Sequence, residues 1–186
     1  MLKWIVKIGE TLPLPNEKYR LLRSGVLSKM LSKLGHKVIW WTSTFDHFNK
    51  KHTFNQDKSL EINSNLKLEL IKGSGYKKNV SLSRLYDHNL IAKKFKSKIY
   101  LEEKKPDVIV CSYPTSELAF QCILYGKKFN IPVVLDIRDL WPDIYFRELL
   151  PKFLSKISLN IYNYFYDRHI YVLKNASGLV GITEKI

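Results

Sequence analysis

The first forty residues contain the pattern that most restricts the fold. Trp4-Ile-Val-Lys-Ile is a short apolar run typical of a strand, and a loop with two prolines follows it. Apolar residues at helical spacing then predict an amphipathic helix over 17–34, ended by Gly35. Lys37-Val-Ile-Trp-Trp-Thr predicts a second strand. A strand, a helix and a strand in so short a length form a βαβ unit, which favours a parallel sheet with a right-handed crossover.

The rest of the chain continues this alternation, so we predict an α/β fold with a mostly parallel sheet. Residues 44–60 are polar, and we expect His47 and His52 to be solvated because no metal-ligand spacing surrounds them. The apolar face predicted for the first helix consists of Tyr19, Leu22, Val26, Met30 and Leu34, with Leu27 and Leu31 beside it. The further predicted elements are a strand over 66–71, antiparallel at an edge, a helix from Ser81 or Ser83 to Glu103, a strand over 107–112, a helix from Thr115 or Ser116 to Phe129, a strand over 131–136, a helix over 149–174 and a strand from Gly178.

Length and composition favour a single globular domain in the cytoplasm. The chain has 186 residues, of which 45% are hydrophobic, enough for one core but little for two. Cys111 and Cys122 stand in apolar surroundings without a CxxC or metal spacing, which is typical of reduced, buried thiols. The first apolar run is too short for a signal peptide, and no stretch approaches the ~20 apolar residues of a membrane span.

The net charge of +14 is concentrated in two segments. Residues 1–50 carry nine Lys and Arg against three acids, and residues 72–105 carry ten against three. Such a field favours an anionic partner, which could be nucleic acid, a phosphate-bearing substrate or the negative surface of a membrane. A solvated, lysine-rich surface without a partner is the alternative.

The strand that begins at Ile131 ends in charged residues. Asp136, Arg138, Asp139 and Asp143 crowd around Trp141-Pro142, where a buried strand would not carry charge. In open α/β sheets the carboxyl ends of the strands are where ligands bind, so we expect a site there. If the strands over 107–112 and 131–136 are neighbours, the residues Ser112, Tyr113 and Thr115 lie at the same edge. The alternative is a charged loop in which an aspartate caps the next helix.

Three further stretches each allow two interpretations. The first loop lacks GxGxxG, which argues against an ordinary NAD enzyme, although Glu10, Lys18 and Arg20 could line a ligand cleft instead of plain surface. The loop 73–81, followed by a lysine-rich helix, suits a phosphate or a membrane surface, or is a linker beside a solvated helix. The aromatic-rich helix over 149–174 could face a membrane or a partner, although core packing is the commoner explanation.

Four segments carry a resemblance to a known family. The chain resembles the N-terminal, acceptor-side half of a GT-B glycosyltransferase of family 4, particularly the WbuB-like capsule and O-antigen subgroup. The first two segments are fairly specific in combination, and the third is weak alone. The segments are Asp136-Ile-Arg-Asp-Leu-Trp-Pro-Asp, Gly75-Tyr-Lys-Lys-Asn-Val-Ser-Leu-Ser-Arg, Lys105-Pro-Asp-Val-Ile-Val and Ile182-Thr-Glu.

The resemblance implies that residues 1–186 form one Rossmann-like, three-layer α/β/α domain that binds the acceptor. It implies a second domain, absent from this chain, that holds the nucleotide-sugar, so the chain alone is expected to be inactive. It also implies retention of anomeric configuration, no catalytic metal, no other cofactor and no nucleic-acid partner. Many members of the subgroup glycosylate a lipid-linked glycan acceptor at the inner membrane surface, so we expect a cytoplasmic protein bound peripherally to an anionic bacterial membrane.

The resemblance also assigns roles to residues. Many family 4 enzymes carry His-Asp where this chain has Arg138-Asp139, and an arginine cannot act as a base but can pair with a diphosphate or a developing charge. We therefore predict Asp139 and Arg138 as the catalytic pair, with Asp139 orienting an acceptor hydroxyl or Arg138 itself. The predicted acceptor-binding residues are Gly9, Glu10, Lys18, Tyr76, Lys77, Lys78, Asn79, Tyr113, Thr115, Thr183 and Glu184.

Two other functions remain open on the sequence. A stand-alone flavodoxin-like or Rossmann-like binding module would explain the βαβ pattern without a second domain. A basic nucleic-acid-binding protein would explain the net charge, but the sequence contains no RNP motif or helix-turn-helix.

Overall fold

A seven-stranded sheet forms the centre of the protein and confirms the predicted Rossmann-like α/β class. The computed structural model describes residues 1–14, 20–138 and 155–181, with side chains from residue 163 onward in the last range. The strand order is β5-β6-β2-β1-β7-β8-β9, and every neighbouring pair is parallel except β5 and β6. The strands are β1 Leu2–Val6, β2 Lys37–Ser43, β3 Phe45–Asp46, β4 Lys51–His52, β5 Lys58–Asn63, β6 Leu66–Ile71, β7 Val108–Tyr113, β8 Val133–Ile137 and β9 Gly178–Val180.

Helices cover both faces of the sheet, which gives the predicted three layers. One face packs against three helices around a core that contains Trp4, Trp41 and Phe95. The other face packs against the first helix around Ile5, Trp40 and Leu68. Successive residues of one strand point to opposite faces, so Trp4 and Ile5 serve different cores. The helices are α1 Arg23–Lys33, α2 Leu82–Ile99, α3 Ser116–Phe129 and α4 Ser155–Lys174.

Helix α1 packs on the sheet through a different face from the predicted one. Its buried residues are small, namely Ser24, Gly25, Ser28 and Ser32. The predicted apolar stripe points outward instead, since Val26 is 44% exposed and Met30 is 57% exposed. Short side chains let the helix axis approach the sheet closely, and Leu27 and Leu31 then reach the core from the sides of the helix. The spacing of apolar residues by three and four positions identified the helix, but it did not identify which face the helix buries.

Residues 44–60, for which the sequence predicts no strand, contain secondary structure. They form the β3–β4 hairpin and the start of β5, and the latter occupies the sheet edge. The predicted edge strand, β6, therefore lies inside the sheet, parallel to β2 and antiparallel to β5. The prediction that His47 and His52 are solvated is wrong, because both rings are half-buried.

The other predicted elements agree closely with the structure. The Ser81 hydroxyl accepts a hydrogen bond from the Arg84 backbone N–H at 3.2 Å and so caps α2, as predicted. Cys111 and Cys122 are free and buried, also as predicted. Within the helices that the structure describes, none is long and apolar enough to cross a membrane.

The order of connections creates a crevice at one edge of the sheet. Helix α1 leads from β1 to β2 on one side, whereas α2 crosses back and leads to β7 on the other side of β1. The strand order therefore reverses between β1 and β7. The carboxyl ends of these two strands are the place where open α/β sheets bind ligands.

Candidate functional site

A network of polar and charged side chains lies at the carboxyl ends of β1, β7 and β8. We call it the edge cluster. Register brings its strand residues together, because β7 and β8 are parallel neighbours in which Ser112 stands opposite Asp136. The first loop and the first turn of α1 supply the other members. The edge cluster consists of Glu10, Arg23, Ser24, Ser112, Asp136 and Arg138.

Arg138 is at the centre of the edge cluster. Its Nε donates to Asp136 Oδ2 at 2.8 Å, one terminal nitrogen pairs with Glu10, and the other donates to Ser24 Oγ at 3.0 Å. Its backbone N–H donates to the Tyr113 carbonyl at 3.2 Å, which continues the β7–β8 ladder. The N–H donors of the guanidinium thus bind two carboxylates and a hydroxyl, and these three contacts fix its orientation.

Glu10 links the edge cluster to the N-terminus of α1. Its side chain is 2% exposed, and its Oε2 accepts from the Ser24 backbone N–H at 3.1 Å. The N-cap residue of α1, Leu22, provides no side-chain hydrogen bond, so the distant Glu10 satisfies a backbone donor in the first turn. A carboxylate at this end also interacts favourably with the helix dipole.

Asp136 completes the charge balance of the edge cluster. Arg23 pairs with its Oδ1, and the Ser112 hydroxyl donates to its Oδ2 at 3.4 Å. Two carboxylates and two guanidinium groups therefore sit together and bind one another. Glu10, Asp136 and Arg138 are mostly screened from water, whereas the Arg23 side chain is 45% exposed. Such an arrangement holds side chains in fixed positions at the wall of a crevice.

A pocket of about 390 Å³ opens beside Glu10, between the first loop, the start of α1 and the β3–β4 hairpin. Phe48 presents an aromatic ring that is 62% exposed at this hairpin. Asp46 holds the turn by accepting from the backbone N–H groups of Phe48 and Asn49 at 2.8 and 2.9 Å. Burial disfavours ionisation of Asp46, but these hydrogen bonds outweigh it and lower its pKa. The pocket is lined by Glu10, Thr11, Leu12, Arg20, Leu22, Ser43, Phe45, Asp46, Phe48, Asn49 and Thr53.

A second group of side chains surrounds the buried ring of Tyr76, and we call it the Tyr76 cluster. The Tyr76 hydroxyl is 2.7 Å from His47 Nδ1. The Lys50 ammonium lies 5.1 Å from the ring centroid and the Arg84 guanidinium 5.6 Å from it. Both cations also bind Asn79, Lys50 through the side-chain oxygen and Arg84 through the backbone carbonyl at 2.7 Å. The cluster consists of His47, Lys50, Tyr76, Asn79, Arg84 and His88.

The two histidines of the Tyr76 cluster are held neutral. Burial, followed by the positive charges of Lys50, Arg84 and Lys7, lowers the pKa of His47 to about 4. Burial, followed by Arg84 and Lys7, lowers the pKa of His88 to about 3. Burial is thus the main reason that both rings stay neutral, and the surrounding positive charges add to it.

The two clusters meet at Gly9. A β-carbon on Gly9 would lie 3.4 Å from the β-carbon of His47, and Gly9 has a φ of +74°. The close approach and the left-handed backbone both suit glycine. The first loop therefore carries Glu10 into the edge cluster while it packs against the hairpin of the Tyr76 cluster.

The structure brings together some of the predicted site residues. Glu10 and Arg138 join the edge cluster, Tyr76 and Asn79 join the Tyr76 cluster, and Gly9 connects the two. Lys77 and Lys78 are exposed beside Asn79. The predicted residues Lys18, Asp139, Thr183 and Glu184 lie outside the described residues.

Tyr113 and Thr115 do not join either cluster. The Tyr113 ring is fully buried on the α4 side of the sheet, where its hydroxyl bonds His169. Burial, together with nearby Glu117, raises the pKa of that phenol. Thr115 is 5% exposed at the start of α3 and makes no side-chain cap. Their predicted role in acceptor binding has no support from these positions and stays a prediction.

Sequence reasoning missed several members of the two clusters. The predicted helix over 17–34 contains Arg23 and Ser24 without a site role. The sequence assigns no role to Lys50, and Arg84 enters only as the last residue of the Gly75 segment. The signal that could have found Lys50 and His47 is the polar stretch between β2 and β5, directly after a strand that ends at the ligand-binding edge. Nothing in the sequence could have paired Arg84 with Tyr76, because the contact depends on how α2 docks.

No group of three or more His, Cys, Asp or Glu side chains is placed to hold a metal ion within ranges 1–14, 20–138 and 155–181. The edge cluster itself contains only two carboxylates, and both are engaged by arginine.

Solved structures resemble this chain in fold, whereas the sequence comparisons find no match. No known protein family matches the sequence, and no curated protein matches it. Among solved structures, the chain is similar to the catalytic domain of starch synthase IV from Arabidopsis thaliana bound to ADP and acarbose, with 15% identity and a TM-score of 0.49. The match covers 74% of this chain and 34% of that structure, so the chain spans about a third of its length.

Proposed function

We propose that this chain is the acceptor-binding domain of a retaining glycosyltransferase. In this proposal a second domain carries the nucleotide-sugar, and a lipid-linked glycan acceptor of capsule or O-antigen synthesis binds at the carboxyl edge of the sheet described above. The enzyme is a GT-B glycosyltransferase of family 4, it acts at the inner face of the membrane, and the 186-residue chain alone does not turn over.

The observation that carries the proposal is the position of Asp136 and Arg138, which begin the Asp136-Ile-Arg-Asp-Leu-Trp-Pro-Asp segment. Its first residues, Asp136 and Arg138, belong to a buried ion-pair network at the topological switch between β1 and β7. A pocket with apolar walls and a few polar groups opens next to that network, which is the usual character of a small-molecule site. A sequence segment typical of sugar transfer and a ligand-binding geometry therefore coincide.

The roles that we propose follow from what each group can do. The Arg138 guanidinium stays protonated, so it cannot accept a proton, and it is already paired with Glu10 and Asp136. We propose that it serves as a positioning residue. Asp139 follows it directly in the sequence and is proposed to orient the acceptor hydroxyl. The leaving nucleotide diphosphate departs on the donor side, and the hydroxyl attacks the sugar from the same face, so the anomeric configuration is retained.

A transfer assay tests this proposal. The protein encoded by the complete reading frame is incubated with labelled nucleotide-sugars and a prenyl-diphosphate-linked monosaccharide, and the product linkage is determined. We expect transfer with retention, and we expect Asp139→Ala and Arg138→Ala each to lower kcat/KM at least a hundredfold. The matched control is Asp167→Ala, which removes an exposed carboxylate from α4. Activity equal to wild type in both site variants would overturn the site assignment.

The alternative of a stand-alone binding module has one observation in its favour. The pocket beside Glu10 has a volume of about 390 Å³, which is enough for a small ligand. Reading the complete frame separates the two functions, since a frame that ends at Ile186 favours the module and a frame that continues into a second α/β domain favours the transferase.

A further inference from the structure

The Tyr76 cluster gathers cations around one aromatic ring. Lys50 and Arg84 both lie within 6 Å of the Tyr76 centroid, and both bind Asn79. Burial, followed by the positive charge of Arg84, lowers the pKa of the Lys50 ammonium, so each cation disfavours the charge of the other. An anion placed between them removes that repulsion and gains two charge-assisted hydrogen bonds.

The electrostatics of the neighbouring groups point the same way. Lys50, Arg84 and Lys7 all disfavour protonation of His47, and Asp46 in the same hairpin opposes them. Asp46 already accepts three hydrogen bonds from its own turn. The field at the ring is therefore positive, and exposed Lys77 and Lys78 extend it toward solvent.

The backbone holds Lys50 in a fixed position. Its φ is +53°, a left-handed conformation that residues with a β-carbon seldom adopt. Its ammonium points at Asn79 Oδ1 and lies 3.5 Å from His47 Nδ1. A lysine that the fold holds in a disfavoured conformation, inside a positive cluster at the ligand-binding edge, is typical of a functional position.

We propose that Lys50 and Arg84, with the Asn79 segment around the Tyr76 ring, form a binding site for a phosphate-type dianion. The natural ligand is a diphosphate ester, and this identification rests on the function proposed above, in which the acceptor carries a diphosphate. The site lies beside the pocket at Glu10, since Gly9 joins the first loop to His47. A ligand could therefore place its phosphates at Tyr76 and its sugar in the pocket.

The first test uses inorganic pyrophosphate and the 186-residue chain at low ionic strength, followed by amide and side-chain nitrogen NMR. We expect saturable shifts confined to residues 45–52 and 73–88. Lys50→Asn should weaken binding at least tenfold, and asparagine tolerates the left-handed conformation at that position. Arg84→Gln should do the same, and if circular dichroism shows that this variant is unfolded, Lys50→Asn decides alone.

The controls separate a built site from a diffuse positive field. Lys29→Asn and Lys33→Asn remove the same charge from the exposed surface of α1, and we expect each to change the affinity less than twofold. Absence of saturable shifts, or equal weakening by the Lys29 and Lys50 variants, would overturn the proposal.

Two further probes distinguish the source of the diphosphate. Farnesyl diphosphate represents an acceptor lipid and uridine diphosphate represents a donor. Binding of the prenyl diphosphate at least as tightly as pyrophosphate supports the acceptor, whereas tighter binding of uridine diphosphate than of farnesyl diphosphate would overturn that identification. These experiments measure binding and not sugar transfer. Pyrophosphate binding can therefore be observed even if the transfer assay is negative, so the two proposals are tested separately.

Discussion

Arg138 forms an ion pair with Glu10, although 128 positions of the sequence separate the two residues. The pair ties the end of β8 to the loop after β1, and Glu10 in turn caps α1. The buried Glu10 carboxylate thus connects the carboxyl end of β8 with α1, the first helix of the chain. The edge cluster therefore stabilises the fold and also forms a wall of the candidate site.

Removal of Glu10 should destabilise the protein strongly. Glu10→Ala leaves Arg138 without one of its carboxylates and leaves an N–H in the first turn of α1 without a partner. Breaking a buried ion pair in this way costs about 3–5 kcal/mol of unfolding free energy. Denaturant titration measures the change. The matched control Glu103→Ala removes an exposed acid and should change the unfolding free energy by less than about 0.5 kcal/mol. An equal, small effect of both variants would contradict the buried pairing.

Acidification should weaken the fold through the histidines of the Tyr76 cluster. The native pKa is about 4 for His47 and about 3 for His88, both below the ordinary value of 6.5. As pH falls from 6.5 toward 4, the unfolded chain binds protons that the native rings do not, so stability is lost over this window. The groups that face these rings are Lys50 and Asp46 from the hairpin, Lys7 after β1 and Arg84 from α2.

The matching measurement is the unfolding free energy as a function of pH for wild type, His47→Gln and His88→Gln. Each substitution should reduce the slope between pH 6.5 and pH 4 relative to wild type. Asp87 acts in the opposite sense, because burial raises its pKa and its native form takes up a proton more readily. A slope that is the same in all three proteins would contradict the depressed pKa values of the two rings.

Gly73→Ala tests how the loop before Tyr76 is held. A β-carbon at Gly73 would clash with Asp87 Oδ1, the atom that accepts from the Gly75 backbone N–H at 2.7 Å. The alanine must displace Asp87 or the loop, at a cost of about 1–3 kcal/mol. We also expect pyrophosphate binding to weaken. Gly178→Ala is the control, because its nearest contact would be an ordinary 3.8 Å. A thermal melt that shows no difference between the two variants would mean that Asp87 does not hold this loop.

Helix α1 offers a direct test of which face it buries. Ser28 is 0% exposed and its hydroxyl donates to the Gly25 carbonyl, so Ser28→Leu should overpack the helix–sheet contact and cost about 1–3 kcal/mol. Met30 is 57% exposed, so Met30→Gln should change the unfolding free energy by less than about 0.5 kcal/mol. The reverse result in denaturant titrations would restore the apolar face as the buried one.

The sequence determined the alternation of strands and helices, because hydrophobic period and capping are local properties. For that reason the predicted elements agree with the structure at β1, β2, β7, α2 and α3. The charged end of the strand at Asp136 could likewise be predicted without knowing which strand lies beside it. The alternation of apolar and polar residues also predicted β6, but its neighbours could not be read, since an edge strand and an inner strand can have the same pattern.

The tertiary structure decided which residues meet. Arg138 was predicted to face a substrate, and only the register of β7 and β8 together with the docking of α1 showed that Glu10, Ser24 and Asp136 take its hydrogen bonds. The Tyr76 cluster likewise needs a hairpin, a loop and a helix that are distant in sequence. The sequence states how much charge each segment carries. A binding site depends instead on distances of a few ångström between charged groups. Those distances are set only when the two cores pack on opposite faces of the sheet.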